Sequence, residues 1–137
     1  MKFLRLLVAI FIFKAIAVAN DFDVYSAFDK AQKENKPLFY VVVSAGCPHC
    51  VSFFENTVHP NFELIHRDFE FAFSDISRGD KIPSNIKFNG TTPSTYIVAP
   101  NGQTLIGPLE GNFDSKYLHY LINEMRKSYA KNYRVRA

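Results

Sequence analysis

Ser44-Ala45-Gly46-Cys47-Pro48-His49-Cys50 is the stretch of this sequence that decides its fold. It contains both cysteines of the chain, separated by two residues. It follows the continuous apolar run Leu38-Phe39-Tyr40-Val41-Val42-Val43 and precedes a segment whose apolar residues recur at helical spacing. A pair of thiols at the junction of a strand and a helix predicts a dithiol/disulfide redox site.

A structural disulfide is the simplest alternative for these two cysteines, because exported proteins often carry one. A bridge between Cys47 and Cys50 would close a very short loop. Such a bridge removes little entropy from the unfolded chain and therefore stabilises the fold little. Bridges that close longer loops typically contribute about 2–4 kcal/mol. A buried structural Cys50 beside a free Cys47 is a second alternative. We favour a chemical role for the pair because a disulfide between these two cysteines would stabilise the fold poorly.

The residues before the cysteine pair predict a helix and a buried strand. Residues 21–35 have apolar side chains at helical spacing, with Asp21 or Asp23 as the N-cap, and Lys36-Pro37 ends this helix. Residues 38–43 show no polar alternation and are rich in β-branched and aromatic side chains. This pattern is typical of a central strand that is covered on both faces.

The residues after the pair predict a helical crossover to a second strand. The helix begins at Pro48, where a missing N–H group costs nothing, and Pro60 is expected to end it. A further helical turn or two is expected in residues 61–66. Residues 69–73 alternate apolar with polar or small side chains and predict a strand. This strand should lie parallel to the first because a helix connects the two.

The C-terminal part predicts a loop, a hairpin and a helix. Residues 74–92 are rich in glycine, proline and asparagine and form mostly loop, and Thr92-Pro93 leads out of it. Residues 94–106 predict two strands around the tight turn Pro100-Asn101-Gly102. Asp114 opens the last helix, which has one apolar face. That face carries Tyr117, Leu118, Leu121, Ile122 and Met125.

The first residues of the 137-residue chain predict export. A basic start is followed by eight uninterrupted apolar residues, 6–13, and by the small-x-small sequence Ala17-Val18-Ala19. This is the pattern of a secretory signal that is cleaved before Asn20. We therefore expect residues 1–19 to be a signal peptide and the mature protein to be periplasmic.

An uncleaved membrane anchor is the alternative for this segment. Arg5 and Lys14 interrupt the apolar run, which is far shorter than the roughly 20 residues that a spanning helix needs. No repeat, linker or low-complexity tract divides the rest of the chain, so we expect residues 20–137 to form a single domain. We also expect the protein to be a monomer. Its size is typical of one small domain with a real core.

The net charge argues against a nucleic-acid partner. Three of the 16 basic residues lie in the leader, which leaves 13 basic against 13 acidic residues in the mature chain. Five cations lie in residues 126–137 without an acidic residue among them. This basic tail is a candidate for contact with anionic lipid, although a solvated helix end explains it more simply.

The order of elements resembles the thioredoxin fold, in the exported thioredoxin-like group. Three features carry the resemblance: Cys47-Pro48-His49-Cys50 at the strand-to-helix junction, Thr92-Pro93 at the position of the family's cis-proline, and the hairpin with the turn Pro100-Asn101-Gly102. It implies an α/β domain with a central mixed sheet of about four strands flanked by helices. The units are βαβ and then ββα, with an extra N-terminal helix.

The resemblance implies a thiol:disulfide oxidoreductase that acts on protein cysteines and has a membrane or periplasmic redox partner, without cofactor or metal. Cys47 is then the attacking thiolate, because a helix N-terminus lowers the pKa of a thiol from about 8.5, and Cys50 resolves the mixed disulfide. Pro48 and His49 tune the redox properties. Thr92 and the cis-proline Pro93 bind the substrate strand. All other prolines, Pro108 included, are expected to be trans.

Three departures from the family pattern leave the direction of electron flow open. The family's usual buried acid is replaced by Val41, and Gly46 replaces the usual tryptophan before the first cysteine. Cys50 and Pro93 are too close in sequence for the helical insertion domain of the Dsb-type oxidants. The motif thus resembles that of an oxidant, whereas the body resembles a plain thioredoxin-like domain.

Two rival functions remain at this point, a binding module with a structural disulfide and a metal carrier. His59 and His66 flank Pro60, but their spacing from the cysteines matches no standard zinc pattern. Val51 follows Cys50, where attachment of a c-type haem needs a histidine. The sequence therefore favours the redox function over both rivals.

Overall fold

The computed structural model describes residues 22–133, so the predicted signal peptide and the end of the basic tail lie outside the described residues. None of the described helices is long and apolar enough to cross a bilayer. The order of elements confirms the predicted one. It comprises α1 (Val24–Glu34), β1 (Leu38–Val43), α2 (Pro48–Phe53), α3 (Phe62–Asp68), β2 (Glu70–Asp75), β3 (Ser94–Val98), β4 (Thr104–Glu110) and α4 (Ser115–Tyr133).

The four strands form one mixed sheet in the order β2-β1-β3-β4. Strand β1 pairs in parallel with β2 and antiparallel with β3, and β3 pairs antiparallel with β4. The parallel pair is the one whose connection is helical, as the sequence predicts. The βαβ and ββα units therefore meet at β1 and β3, in the middle of the sheet.

Two core layers cover the two faces of the sheet, and β1 contributes to both. Phe39 and Val41 pack in the layer beneath the crossover helix and α4, whereas Leu38, Tyr40 and Val42 pack against α1. Because successive strand residues point to opposite faces, a strand that is buried on both sides shows no polar alternation. The apolar run of β1 has this cause.

The helical segment around Pro60 differs from the prediction, because Pro60 does not end it. The backbone widens into a π turn at Phe54–Val58, where the His59 N–H group donates to the carbonyl of Phe54, and then tightens into a 3-10 turn at His59–Asn61 before α3 begins. The carbonyl of Asn56, four residues before Pro60, loses its usual helical donor. The hydroxyl of Ser115 donates to it over 3.4 Å. A side chain of α4 thus lets the chain continue past the proline.

Strand β4 differs from the prediction in its length and in the isomer of one peptide bond. It runs to Glu110, and the Gly107–Pro108 peptide bond is cis, so the expectation of a trans Pro108 is wrong. Proline is tolerated there because β4 is an edge strand, where one ladder N–H group is dispensable. The sequence also misses the 3-10 turn Ile76–Arg78 directly after β2, which the Asp75 carboxylate caps by accepting from the Ser77 N–H group at 3.0 Å.

Candidate functional site

The cysteine pair lies at the N-terminus of α2, just beyond the end of β1. Cys47 is the N-cap residue, and its sulfur accepts a hydrogen bond from the Cys50 N–H group at 3.1 Å. Pro48 occupies the first helical turn, where its fixed φ angle suits the helix. The two sulfurs form a disulfide, with the Cα atoms 5.2 Å apart. The N-terminal end of the helix favours negative charge on Cys47 once the bond is reduced.

The two cysteines differ in their exposure. Cys47 is half-buried, whereas Cys50 is 5% exposed and faces the core. Cys47 is therefore the more accessible of the two cysteines, and Cys50 lies below the surface. This difference is what an attacking and a resolving thiol require.

Thr92 and Pro93 lie beside the sulfur of Cys47, although they are far from it in sequence. The Thr92–Pro93 peptide bond is cis, which confirms the predicted isomer. The carbonyl oxygen of Thr92 lies 3.6 Å from Cys47 Sγ, and the Thr92 hydroxyl donates to the same sulfur over 3.5 Å. The Pro93 carbonyl accepts from the N–H group of Gly111 in the last turn before α4 at 2.8 Å.

Pro48 and His49 are both exposed at the rim of the site. The His49 side chain makes no hydrogen bond or ion pair with any residue from 22 to 133. The tuning role predicted for His49 therefore depends on its place in the motif and not on a fixed contact.

Two serines of the site are missed by sequence reasoning. Ser44 Oγ lies 3.2 Å from the hydroxyl of Thr92. Ser77 Oγ accepts from the N–H group of Ala45 at 2.9 Å and in turn donates to the carboxylate of Asp75. Ser77 thus holds the loop in which Gly46 has a positive φ of 69°. Each serine contacts a residue that is more than 30 positions away in the sequence, so no local pattern predicts these contacts.

Within residues 22–133, no group of three or more His, Cys, Asp or Glu side chains is placed to hold a metal ion. His66 stacks on Phe62, with ring centroids 5.7 Å apart, and His59 is exposed. Val41 is fully buried, and its register partners on the two neighbouring strands are Phe73 and Thr95. This position, at which the family usually has a buried acid, therefore supplies no carboxylate to the interior of the protein.

No protein-family model and no curated protein matches this sequence. Solved structures do. The C-terminal domain of DsbD from Neisseria meningitidis, in its oxidised form, superposes with a TM-score of 0.58 and 19% identity, over 74% of this chain and 91% of that one. A thioredoxin from Thermus thermophilus gives 0.57 and 16%, over 76% and 84%. A disulphide isomerase from Xylella fastidiosa Temecula1 gives 0.55 and 15%, over 80% and 94%.

These likenesses extend over most of each known structure. Because the sequence identities are low, they show a shared fold and nothing further. The shared features are the mixed sheet, the flanking helices and the order in which the chain visits them. The Cys47–Cys50 disulfide and the cis Thr92–Pro93 peptide bond are features of this chain's own structure. The chain has the thioredoxin fold.

Proposed function

We propose that this protein is an exported thiol:disulfide oxidoreductase that exchanges disulfides with the cysteines of other proteins. The observation that carries the proposal is the bonded pair of one accessible and one buried cysteine, set at a helix N-terminus beside the cis-proline Pro93. The likeness to a disulphide isomerase and to a DsbD domain supports the same class of chemistry. The predicted signal at residues 1–19 supports a periplasmic location.

The reaction uses both sulfurs in turn. In the reducing direction, the thiolate of Cys47 attacks one sulfur of a client disulfide, and the other client sulfur leaves as a thiolate that takes up a proton. Cys50 then loses its proton and attacks Cys47 Sγ, which releases the second client thiol. Two electrons pass to the client and the Cys47–Cys50 disulfide forms. The same steps in reverse donate a disulfide.

The remaining predicted residues have supporting roles. The backbone of Thr92, next to the sulfur of Cys47, binds an extended segment of the client, and Pro93 keeps that segment beside the disulfide. Pro48 and His49 set the redox properties from the exposed rim. A second thiol protein in the periplasm or membrane returns the pair to its starting state, and the basic tail at residues 126–137 is a candidate for contact with a membrane surface.

The trapping of mixed disulfides tests this proposal. In a Cys50→Ala variant, the first step proceeds and the second cannot, so client proteins should accumulate on Cys47. Gel electrophoresis without reductant, followed by mass spectrometry, identifies them. The double variant Cys47→Ala/Cys50→Ala is the matched control and should trap nothing. If the single variant also traps nothing in cells that export it, the oxidoreductase function is wrong.

The reduction potential of the pair gives the direction of transfer. Equilibration with glutathione measures it. A value near −120 mV marks an oxidant and a value near −270 mV a reductant, on the scale of known thioredoxin-fold proteins.

A further inference from the structure

Two hydroxyl groups and the sulfur of Cys47 form a chain at the site. Ser44 Oγ lies 3.2 Å from Thr92 Oγ1, which lies 3.5 Å from Cys47 Sγ. Ser44 follows the end of β1, Thr92 precedes β3, and Cys47 caps α2. Ser44 and Cys47 belong to one loop and Thr92 to another, so the chain of contacts joins two segments that meet only in the folded protein.

The direction of the two hydrogen bonds that link Ser44, Thr92 and Cys47 follows from the single proton of each hydroxyl group. A threonine hydroxyl has one proton to donate. When Thr92 donates it to Cys47 Sγ, the contact between the two hydroxyls requires Ser44 to be the donor and Thr92 the acceptor. Ser44 and Thr92 are both half-buried, which limits replacement of this contact by water. The proton of Thr92 is thus directed at the sulfur.

The carbonyl of Thr92 acts in the opposite sense on the same sulfur. It lies 3.6 Å from Cys47 Sγ and accepts from a protonated thiol, whereas it repels a thiolate. The Thr92 hydroxyl and the Cys50 N–H group are the donors that offset it. The balance between one acceptor and two donors sets the charge that Cys47 carries after reduction.

We propose that Ser44 is a positioning residue, which orients the Thr92 hydroxyl so that it donates to the thiolate of Cys47 and makes the Cys47–Cys50 pair more oxidising. The inference rests on the proposed function, since it concerns the reduced form of the same pair. The hydroxyl of Ser44 does not touch the sulfur or a client. Its effect passes entirely through Thr92.

Titration of the single thiol tests the proposal without any client. In a Cys50→Ala background, the ultraviolet absorbance of the thiolate gives the pH at which Cys47 ionises. Thr92→Val should lower the thiolate fraction about tenfold below that pH, because a hydrogen bond to a charged group is lost. Ser44→Ala should lower it about threefold, and Ser44→Thr should restore it. Ser84→Ala, at an exposed serine on the α1 side of the sheet, is the matched control.

The double variant separates positioning from a general structural effect. Because Ser44 acts through Thr92, adding Ser44→Ala to Thr92→Val should change the titration no further. At a pH at which the Cys47 thiolate predominates, Ser44→Ala should also shift the potential of the intact pair by about −14 mV, which is the threefold change converted at 29.6 mV for each tenfold step.

An unshifted titration in Ser44→Ala would overturn the role of Ser44, and so would additive effects in the double variant. The outcome for the proposed function is separate. Trapping on Cys47 that persists beside an unshifted titration leaves the oxidoreductase intact. A shifted titration without trapped clients supports the positioning role and contradicts the function.

Discussion

Buried tyrosine hydroxyls attach the long loop after β2 to the sheet. Tyr40 donates to Ser74 over 2.7 Å, and Ser74 donates to the carbonyl of Lys81 over 3.1 Å. Tyr96 donates to the carbonyl of Lys87 over 2.8 Å. These bonds tie down the loop on the face of the sheet that α1 covers. Burial raises the pKa of Tyr40 to about 12, because a phenolate would lose its hydration there.

Replacement of Tyr40 by phenylalanine should make the folded protein less sensitive to alkali. A pKa that is higher in the folded state stabilises the fold fully below the unfolded value of about 10, and this stabilisation is lost as the pH rises from 10 to 12. The free energy of unfolding of wild type should therefore fall more steeply than that of Tyr40→Phe across this window. Urea unfolding at several pH values measures both.

At pH 7 the same variant should be about 1 kcal/mol less stable than wild type, because it loses one buried hydrogen bond. Tyr25→Phe is the control, since Tyr25 is 53% exposed. Parallel alkaline curves for wild type and Tyr40→Phe would contradict the assignment of the alkaline loss to Tyr40.

The chemical identity of the site could be predicted at the residue scale, but its hydrogen bonds could not. The spacing of Cys47 and Cys50 is a local pattern, and any helix N-terminus favours negative charge on a thiol placed there. The contact of Ser44 with Thr92 joins residues 48 positions apart. Hydroxyl groups at such distances leave no periodic signal, because their pairing depends on where strands and loops come together.

Among the elements, β4 depends on a glycine at its irregular pairing with β3. Gly107 has a φ of 116°, and a Cβ atom there would lie 2.7 Å from the carbonyl oxygen of Thr95 and 3.1 Å from the Cα atom of Tyr96. The register shifts nearby, between Thr95 and Ile97. The two backbones approach so closely that any side chain must displace one of them.

We expect Gly107→Ala to destabilise the protein strongly, by about 3 kcal/mol or more, because both backbone strain and a backbone clash arise. Gly90→Ala is the matched control. Gly90 also has a positive φ, of 92°, but nothing lies within 4 Å of its added Cβ, so only the strain of about 1–2 kcal/mol should appear. Thermal and urea unfolding measure the two variants. Equal losses would show that the close approach to Thr95 is unimportant.

The helical segment after the cysteines shows how tertiary contacts override a local signal. A proline usually ends a helix, because it removes one hydrogen bond and crowds the preceding turn. Here the π turn and the Ser115 hydroxyl satisfy the freed groups. Thr57, 1% exposed, also donates to the Phe113 carbonyl at 2.6 Å. Contacts from the start of α4 thus hold the crossover together, and they cannot be inferred from residues 54–61 alone.

For the whole molecule, the difference in stability between the two redox forms shows which state of the cysteine pair the fold favours. We expect the reduced protein to be at least as stable as the oxidised one at pH 9. The short bridge adds little stabilisation through chain entropy. The Cys50 N–H group, the Thr92 hydroxyl and the helix N-terminus favour a Cys47 thiolate only in the folded chain.

The pH dependence of this difference has a defined sign. A thiol that ionises more readily when folded contributes stability that is present above its unfolded pKa of about 8.5 and is lost as the pH falls. The advantage of the reduced form should therefore shrink between pH 9 and pH 5, as urea unfolding with and without reductant would show. An oxidised form that is more stable by about 2 kcal/mol or more at pH 9 would contradict a stabilised Cys47 thiolate, because the fold would then favour the disulfide.

The sequence by itself determined the architecture and the cysteine pair of this protein. The central strand, its helical crossover, the hairpin and the last helix are each encoded by a local period or a turn signal, and the resemblance to the thioredoxin fold implies that they form one mixed four-stranded sheet. The signal peptide at residues 1–19 stays a prediction. The passage of the helix beyond Pro60, the cis bond before Pro108, the close approach at Gly107 and the hydroxyl chain from Ser44 to Cys47 were decided only by the tertiary structure. The passage beyond Pro60, the close approach at Gly107 and the contact of Ser44 with Thr92 depend on segments that are distant in the chain, and no local pattern of residues records such contacts.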